Sequence, residues 1–269
     1  MLTYLAENNT ISQQRLANYL WEQTGCLVSQ STISRLLQRE RITYKRTTPY
    51  FLEQKPLLGE IRQFINVVKL LPYRQLIFLD ECSFYLSETY RYGYAPRGQR
   101  AFIRKLGNTS AHYNLILCLL NVQKKAVIHY QIIKGGVKAK KFHTFLSEMN
   151  LPSNEQYYLL MDNLNVHKTK KAYQKQGLTT IQELLANKNI TPLYLPPYTP
   201  QLNPVELGFN TIKHYYRKQQ PRTEKELQVV IEQAIAWLQE EDLTKYFRHC
   251  LDYFAGNESP YEVWAKAEI

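Results

Sequence analysis

The sequence predicts an α/β protein, a mixed sheet with helices on both faces, preceded by a small all-α unit. Three observations carry this expectation. From Leu76 onward, short apolar runs bounded by polar or turn residues recur at the length of strands. The first three follow one another as a meander, whereas the later ones alternate with helical segments, the pattern of a sheet holding both antiparallel and parallel neighbours. Residues 1–46 instead show the caps and apolar spacing of two short helices.

Taken in order, Thr10 with Gln13 reads as a capping box opening a helix to about Gln23, with Leu16 and Leu20 one turn apart. Gly25 supplies a turn and Ser29 caps a second helix. In it Ile33, Leu36 and Leu37 face inward while Gln30, Ser31, Ser34 and Arg35 face out. This is the arrangement of a helix-turn-helix, and equally of an ordinary helical hairpin. The basic run Arg39 to Arg46 leads into a linker with Pro49 and Pro56, then a helix from about Leu57 to Leu71. Strands follow at Leu76 to Glu81, near Tyr113 to Asn121 and at Ala126 to Ile133, the last two joined by a hairpin turn at Gln123 to Lys125. A helix over Lys138 to Met149, a strand Tyr157 to Asp162, a polar helix Lys170 to Ala186 and a strand Thr191 to Leu195 come next. Asn203 as cap and Pro204 at the first helical position open a helix that holds Glu206. The remainder, Glu224 to Glu241 and on to Trp264, is helical, with Val229, Val230, Ile235 and Leu238 as its buried stripe. The expected divisions are 1–46, a linker and helix at 47–72, a main domain at 73–222 and a helical extension at 223–269.

A chain of 269 residues with 44% hydrophobic content can bury a sizeable core, and its net charge of +11 favours a polyanionic partner. Nucleic acid fits better than membrane, because no basic amphipathic helix or lipidation signal is present. The apolar run Leu115 to Leu120 is too short to span a bilayer, and Met1 to Thr10 lacks the order of a signal peptide. The expected location is therefore cytoplasmic and nucleoid-associated in a prokaryote, or nuclear in a eukaryote. Cys26, Cys82, Cys118 and Cys250 form no C-x-x-C pair and are expected as buried free thiols.

Two of the apolar runs end in acid, LIFLDE at Asp80 and YYLLMDN at Asp162. Sites in open sheets form at the carboxyl ends of parallel strands, where both aspartates are expected to stand. Glu206 lies across the following turn. Alone, an N-P-x-E sequence answers to a capping box or to the helix dipole. Three converging carboxylates would not all stay ionised without a cation, and hard divalent ions with oxygen ligands resolve that conflict. A pair of such ions suits in-line phosphoryl displacement. Basic residues surround the acids: Arg91, Arg97, Arg100, Arg104 and Lys105 between the first strands; Lys168, Lys170, Lys171 and Lys175 after Asp162; Lys213, Arg217, Lys218 and Arg222 after Glu206. Each cluster is either a solvated face or part of a polynucleotide track.

The strings LIFLDECSFYL, RYGYAPRGQR, LLMDNLNVHK and LPPYTPQLNPVELGFNTIK, in this order, resemble the mariner-like (Tc/mariner) superfamily of DDE transposases, more closely its bacterial insertion-sequence branch. The resemblance spans about Thr10 to Lys218. It implies a ribonuclease-H-like catalytic domain at 73–222, two Mg²⁺ or Mn²⁺ ions, and cut-and-paste movement of an element bounded by inverted repeats into a TA target. By motif match Asp80, Asp162 and Glu206 are the catalytic, metal-binding residues, and the DNA-bound form is a homodimer. Gln30, Ser31, Ser34 and Arg35 of the helix-turn-helix, with Arg97, Arg100 and Lys168, are candidate contacts to double-stranded DNA. Asn163 and His167 also match the pattern; His167 is either a satisfied helix-start histidine or a group near phosphate or metal. Glu81 belongs to the motif, but strand alternation points it away from Asp80. The interval from Asp162 to Glu206 is longer than in animal members, Gln201 replaces an acidic residue and Phe209 a tryptophan. Members commonly carry two helix-turn-helix units and only one fits before Lys45, as in a short natural form, the downstream product of a split frame or a decayed copy. The rival expectations are a decayed or domesticated sequence-specific DNA-binding protein, and a nuclease or resolvase that cuts without joining.

Overall fold

In the computed structural model, residues 1–8, 10–44, 58–89, 94–103, 112–152, 155–163 and 173–254 are described, with backbone alone for 6, 7, 58 and 251–254. The chain forms two units, Met1–Tyr50 and Phe51–Ile269.

The first unit holds α1 (Leu2–Glu7), α2 (Gln13–Thr24) and α3 (Gln30–Arg39). The sequence reading contained no counterpart of α1. Ser12, rather than Thr10, caps α2, its hydroxyl accepting the Arg15 amide at 3.3 Å, because Thr10 stands outside the turn that closes there. Gly25, at φ +68°, ends α2 in the left-handed conformation that favours glycine. Ser29 caps α3 as expected, accepting from the Thr32 amide at 3.2 Å. Leu16, Ala17 and Ile33 form the centre of this unit's core. Leu36 and Leu37 are only half-buried, and so is Ser34, while Gln30, Ser31 and Arg35 are exposed. An amphipathic helix in so small a unit has too little facing surface to enclose its whole apolar stripe.

The second unit begins with α4 (Leu58–Lys69) and is built on a sheet of β1 (Leu76–Tyr85), β2 (His112–Leu120), β3 (Val127–Lys134), β4 (Tyr157–Met161) and β5 (Ile190–Tyr194), in the order β3-β2-β1-β4-β5. β1, β2 and β3 pair antiparallel; β4 and β5 add parallel on the other side of β1. The parallel additions need crossovers, supplied by α5 (Ala139–Glu148) and α6 (Ile181–Ala186). After β5 come α7 (Pro204–Gln219), α8 (Glu224–Glu240) and α9 (Thr244–Phe254).

Strand alternation sorts the core into two layers. Leu76, Phe78 and Phe84 of β1 join the layer that contains α4, α7, α8 and α9, whereas Ile77 and Leu79 join the layer with α5 and α6. Helix α7 meets the sheet through Val205, Phe209, Ile212 and Tyr216, one face at helical spacing. The buried stripe of α8 is Leu227, Ile231, Ala234, Ile235 and Leu238; Val229 is 42% exposed and Val230 half-buried. Of the stripe expected there, only Ile235 and Leu238 are enclosed, because α8 turns its Leu227 face to the core it shares with α7. The helix expected over Lys170 to Ala186 is likewise different. Gly177 at φ +66° breaks it, and a capping box of Thr180 with Glu183 starts α6 afresh. Residues 164–172 and Trp264 lie outside the described residues. All four cysteines are free thiols, but only Cys118 and Cys250 are buried; Cys82 is half-buried and Cys26 exposed. Among the described residues no helix is long and apolar enough to cross a membrane.

Candidate active site

The central strands place the first two carboxylates. In the parallel ladder Leu76 lies beside Tyr158, Ile77 beside Leu159 and Phe78 beside Leu160, so carrying the register two steps on sets Asp80 level with Asp162. By alternation both fall on the face of Phe78 and Leu160, the face covered by α7. Asp80 does not stand at a strand end, as the sequence suggested. β1 continues to Tyr85 paired with β2, Asp80 lying opposite Leu117, while the described ladder with β4 stops at Phe78. The aspartate is therefore at the end of a ladder inside a longer strand, where a gap opens beside β1.

The third carboxylate arrives with the loop after β5. The Leu195 amide donates to Met161 O at 2.8 Å and the Thr199 hydroxyl to Pro196 O at 2.6 Å, which ties the loop to β4 and folds it back. Tyr198 sits in this loop at φ +60°, a conformation unusual for a non-glycine residue. Asn203 then caps α7, its Oδ1 accepting the Val205 amide at 3.2 Å. The Asn203 N–H goes to Pro200 O, so the reciprocal capping box that would account for Glu206 is not formed. Asp80, Asp162 and Glu206 line one cleft of about 350 Å³, together with Asn163, Tyr198 and Asn203.

Asn203 links the cap to the acid. Its Nδ2 donates to Asp80 Oδ2 at 3.1 Å and to Leu79 O at 3.3 Å, and the Glu81 amide donates to Asp80 Oδ1 at 2.8 Å. Both carboxylate oxygens are thus held. On the sequence Asn203 reads only as a helix cap; its second role is the functional contribution that the local pattern missed. Asn163 fastens the other rim, its Nδ2 donating to Leu195 O at 2.9 Å while its Oδ1 is buried with no hydrogen-bond partner among the described residues.

Burial, then the charge of Glu206, push the Asp80 carboxyl up to about 7, with Asp162 and Glu81 adding to the effect and the Glu81 amide opposing it. Burial also raises Glu206, against the pull of Lys213. Among the described residues no cationic side chain lines the cleft. Oxygen donors and mutual repulsion make it a fitting place for hard divalent cations. Among the described residues no three His, Cys, Asp or Glu side chains converge closely enough to form a ready-made metal site; the three carboxylates line a shared cleft.

The other sequence candidates distribute as follows. Glu81 faces the opposite layer, where its charge acts on Tyr173. Gln30, Ser31, Ser34 and Arg35 lie on α3 in the first unit. Arg97 and Arg100 are exposed. His167 and Lys168 lie outside the described residues, as do Arg91, Arg104, Lys105, Lys170 and Lys171. Arg217 is occupied, its Nη2 lying 2.6 Å from Glu88 Oε1. Lys213 is half-buried, with Nζ 5.8 Å from the Phe84 ring centre.

Residues 75–228 match the family described as DDE superfamily endonuclease, and residues 7–66 match the winged helix-turn helix. Among curated proteins none matches the chain. Among solved structures, the Mos1 mariner paired end complex with Mn aligns with a TM-score of 0.70 at 19% identity, over 94% of this chain and 75% of that one. The Mos1 strand transfer complex aligns at 0.68 and 20%, over 99% and 75%, and the isolated Mos1 catalytic domain at 0.54 and 15%, over 78% and 93%. These likenesses are of fold, and the ribonuclease-H-like sheet and amino-terminal helix-turn-helix expected from the sequence are borne out.

Proposed function

From the premise that this chain belongs to the DDE superfamily endonucleases, we propose that it is a transposase, which cuts DNA at the ends of a mobile element and joins the freed 3′ ends to target DNA. The observation that carries this reading is the placement of Asp80, Asp162 and Glu206 around one cleft at the end of the parallel ladder. Their likeness in fold to Mos1 assemblies solved with Mn, with Mg and as a strand transfer complex supports it.

In this reading Asp80, Asp162 and Glu206 hold two Mg²⁺ or Mn²⁺ ions, which when bound supply charge neutralisation at the phosphate and at the attacking oxygen. The chain's own contribution is positioning. Asn203 and the Glu81 amide fix both oxygens of Asp80, so its carboxylate meets an incoming cation without searching rotamers. Near neutral pH, Asp80, raised to about 7, would give up its remaining proton to a bound cation, so metal affinity would rise with pH. The loop through Tyr198 and Thr199 walls the cleft beside the scissile phosphate. Residues 1–46 recognise the inverted repeats through Gln30, Ser31, Ser34 and Arg35, while Arg97, Arg100 and Lys168 contact the backbone. Residues 73–222 form the catalytic domain, and 223–269 extend it. Joining two ends at a TA target requires a homodimer on the DNA, working at the nucleoid or in a nucleus.

The test is strand cleavage and joining on a plasmid carrying the DNA that flanks the gene, with Mg²⁺ or Mn²⁺, for the unaltered protein and Asp162→Asn. Metal-dependent cuts at inverted repeats, followed by joined products and lost in the variant, are expected. Cuts without joined products point to a nuclease or resolvase. Binding without cleavage under either metal means a decayed or domesticated DNA-binding protein.

A further inference from the structure

The strand β3 and the helix α5 carry a run of basic charge that the sequence reading did not single out. Lys134, Lys138, Lys140 and Lys141 are all exposed, and no acidic residue occurs between Gln123 and Ser147. The turn between β3 and α5 is Gly135–Gly136. Gly135 takes φ +75°, and a side chain added at either glycine would meet nothing within 4 Å, so the backbone here is open to close approach. Lys138 caps α5 without a side-chain hydrogen bond to the helix, which leaves the positive end of that helix beside the lysines. Lys134 is steadied by Glu224 at 2.7 Å, and the Lys141 ammonium donates to Lys134 O at 3.2 Å.

The sheet register locates this run relative to the cleft. Asp80 lies opposite Leu117, which lies opposite Tyr130; Phe84 lies opposite Tyr113, which lies opposite Lys134. Lys134 is therefore two strands across from Asp80 and four residues further toward the edge at which the cleft opens. At ordinary strand spacing and rise that is about 10 Å across and about 13 Å along, or about 16 Å in all. Half a turn of B-form duplex is about 17 Å.

We infer that the rim from Lys134 to Lys141, at the edge of the sheet toward which the cleft opens, is a contact surface for the phosphate backbone of duplex DNA whose scissile phosphate lies in the cleft, with Lys134 about half a helical turn from it. The inference rests on the transposase reading and adds a surface to it. Lysine ammonium groups neutralise phosphates but offer no fork that distinguishes base edges, so the contact is independent of sequence. Its role is to align the duplex across the edge of the sheet.

The test is the salt dependence of binding for the full chain on two unrelated duplexes. The unaltered protein is compared with a Lys138→Ala, Lys140→Ala, Lys141→Ala triple variant and with the corresponding triple Lys→Arg variant. Removing three phosphate contacts should flatten the log–log slope by about 2.7, so that between 50 and 200 mM salt the unaltered protein loses about 40-fold more affinity than the alanine variant. The loss should be equal on both duplexes and the arginine variant should restore the slope. All three lysines are exposed, so an unchanged unfolding midpoint is expected and shows that the fold is intact. An unchanged slope in the alanine variant, with the unaltered protein still cutting element ends, overturns the rim contact and leaves the transposase reading standing. If the unaltered protein shows no duplex binding at all, both fall.

Discussion

Removing the charge of Asp80 should make the metal-free protein more stable while abolishing its chemistry. Asp80 is raised to about 7 from an ordinary value of 3.8 by burial and by its acidic neighbours. Between those two values the folded chain holds a proton that the unfolded chain has released, so stability falls as pH rises and the full penalty is present above pH 7. The difference corresponds to about 4 kcal/mol. Asn at this position carries no charge, but its NH2 group stands where one of the two carboxylate oxygens accepted, from either the Glu81 amide or Asn203 Nδ2, and one lost hydrogen bond costs about 1 kcal/mol. Asp80→Asn is therefore expected to raise stability by about 3 kcal/mol at pH 8 in the presence of a chelator. At pH 5 only about 1.6 kcal/mol of that penalty is in place, because the unfolded chain is ionised while the folded aspartate keeps its proton, and the gain should shrink to below about 1 kcal/mol. Urea unfolding followed by circular dichroism at both pH values measures this directly. Saturating Mg²⁺ or Mn²⁺ should then stabilise the unaltered protein, by about 2.7 kcal/mol at a hundredfold excess over its dissociation constant, and leave the variant where it was. A variant less stable than the unaltered protein at pH 8 without metal would refute the electrostatic account of the cleft.

Two further outcomes follow from the same neighbourhood. Asn203→Ser keeps a cap for α7 but does not reach Asp80, whereas Asn203→Ala loses both roles. The serine variant should be more stable than the alanine variant by about 1 kcal/mol, yet both should need more divalent metal for half-maximal cleavage, which a metal titration alongside thermal unfolding reads. Arg217→Ala leaves Glu88, only 17% exposed, without its Arg217 partner and with a second oxygen that has no hydrogen-bond partner among the described residues. It should lower stability by about 2–3 kcal/mol in urea while leaving the salt slope of duplex binding unchanged, which marks Arg217 as a structural cation.

Period-two alternation made much of this legible in advance. In LIFLDE it puts Leu76, Phe78 and Asp80 on one face, and the same logic carries Asp162 and sets Glu81 aside. What escaped the sequence depends on tertiary choices. Asn203 and Asp80 are 123 positions apart, and no local pattern reveals that a helix cap also reaches a strand carboxylate. Helix α8 has apolar residues enough for two overlapping stripes, and only packing against α7 selects Leu227 and Ile231 over Val229. The break at Gly177 needed its left-handed backbone to be seen, since a lone glycine in a polar helical run is also tolerated at modest cost. The basic rim after β3 was overlooked because its lysines are distant in sequence from all three acids. Only the two-strand register brings them to the same edge.

That register carries a vulnerability of its own. Asp80 and Glu81 are adjacent acids of nearly equal chemistry, yet they point to opposite layers. A slip of a single residue in β1 would present a carboxylate to α7 all the same, one methylene longer, while exchanging the apolar residues of the two cores. Nine consecutive pairings with β2, from Ile77 with Leu120 to Tyr85 with His112, guard against that substitution of one acid for the other. The long antiparallel partner thus acts as a proofreading template for the strand that carries the first acid, and mutations that loosen β2 should corrupt the identity of the active-site acid before they unfold the sheet.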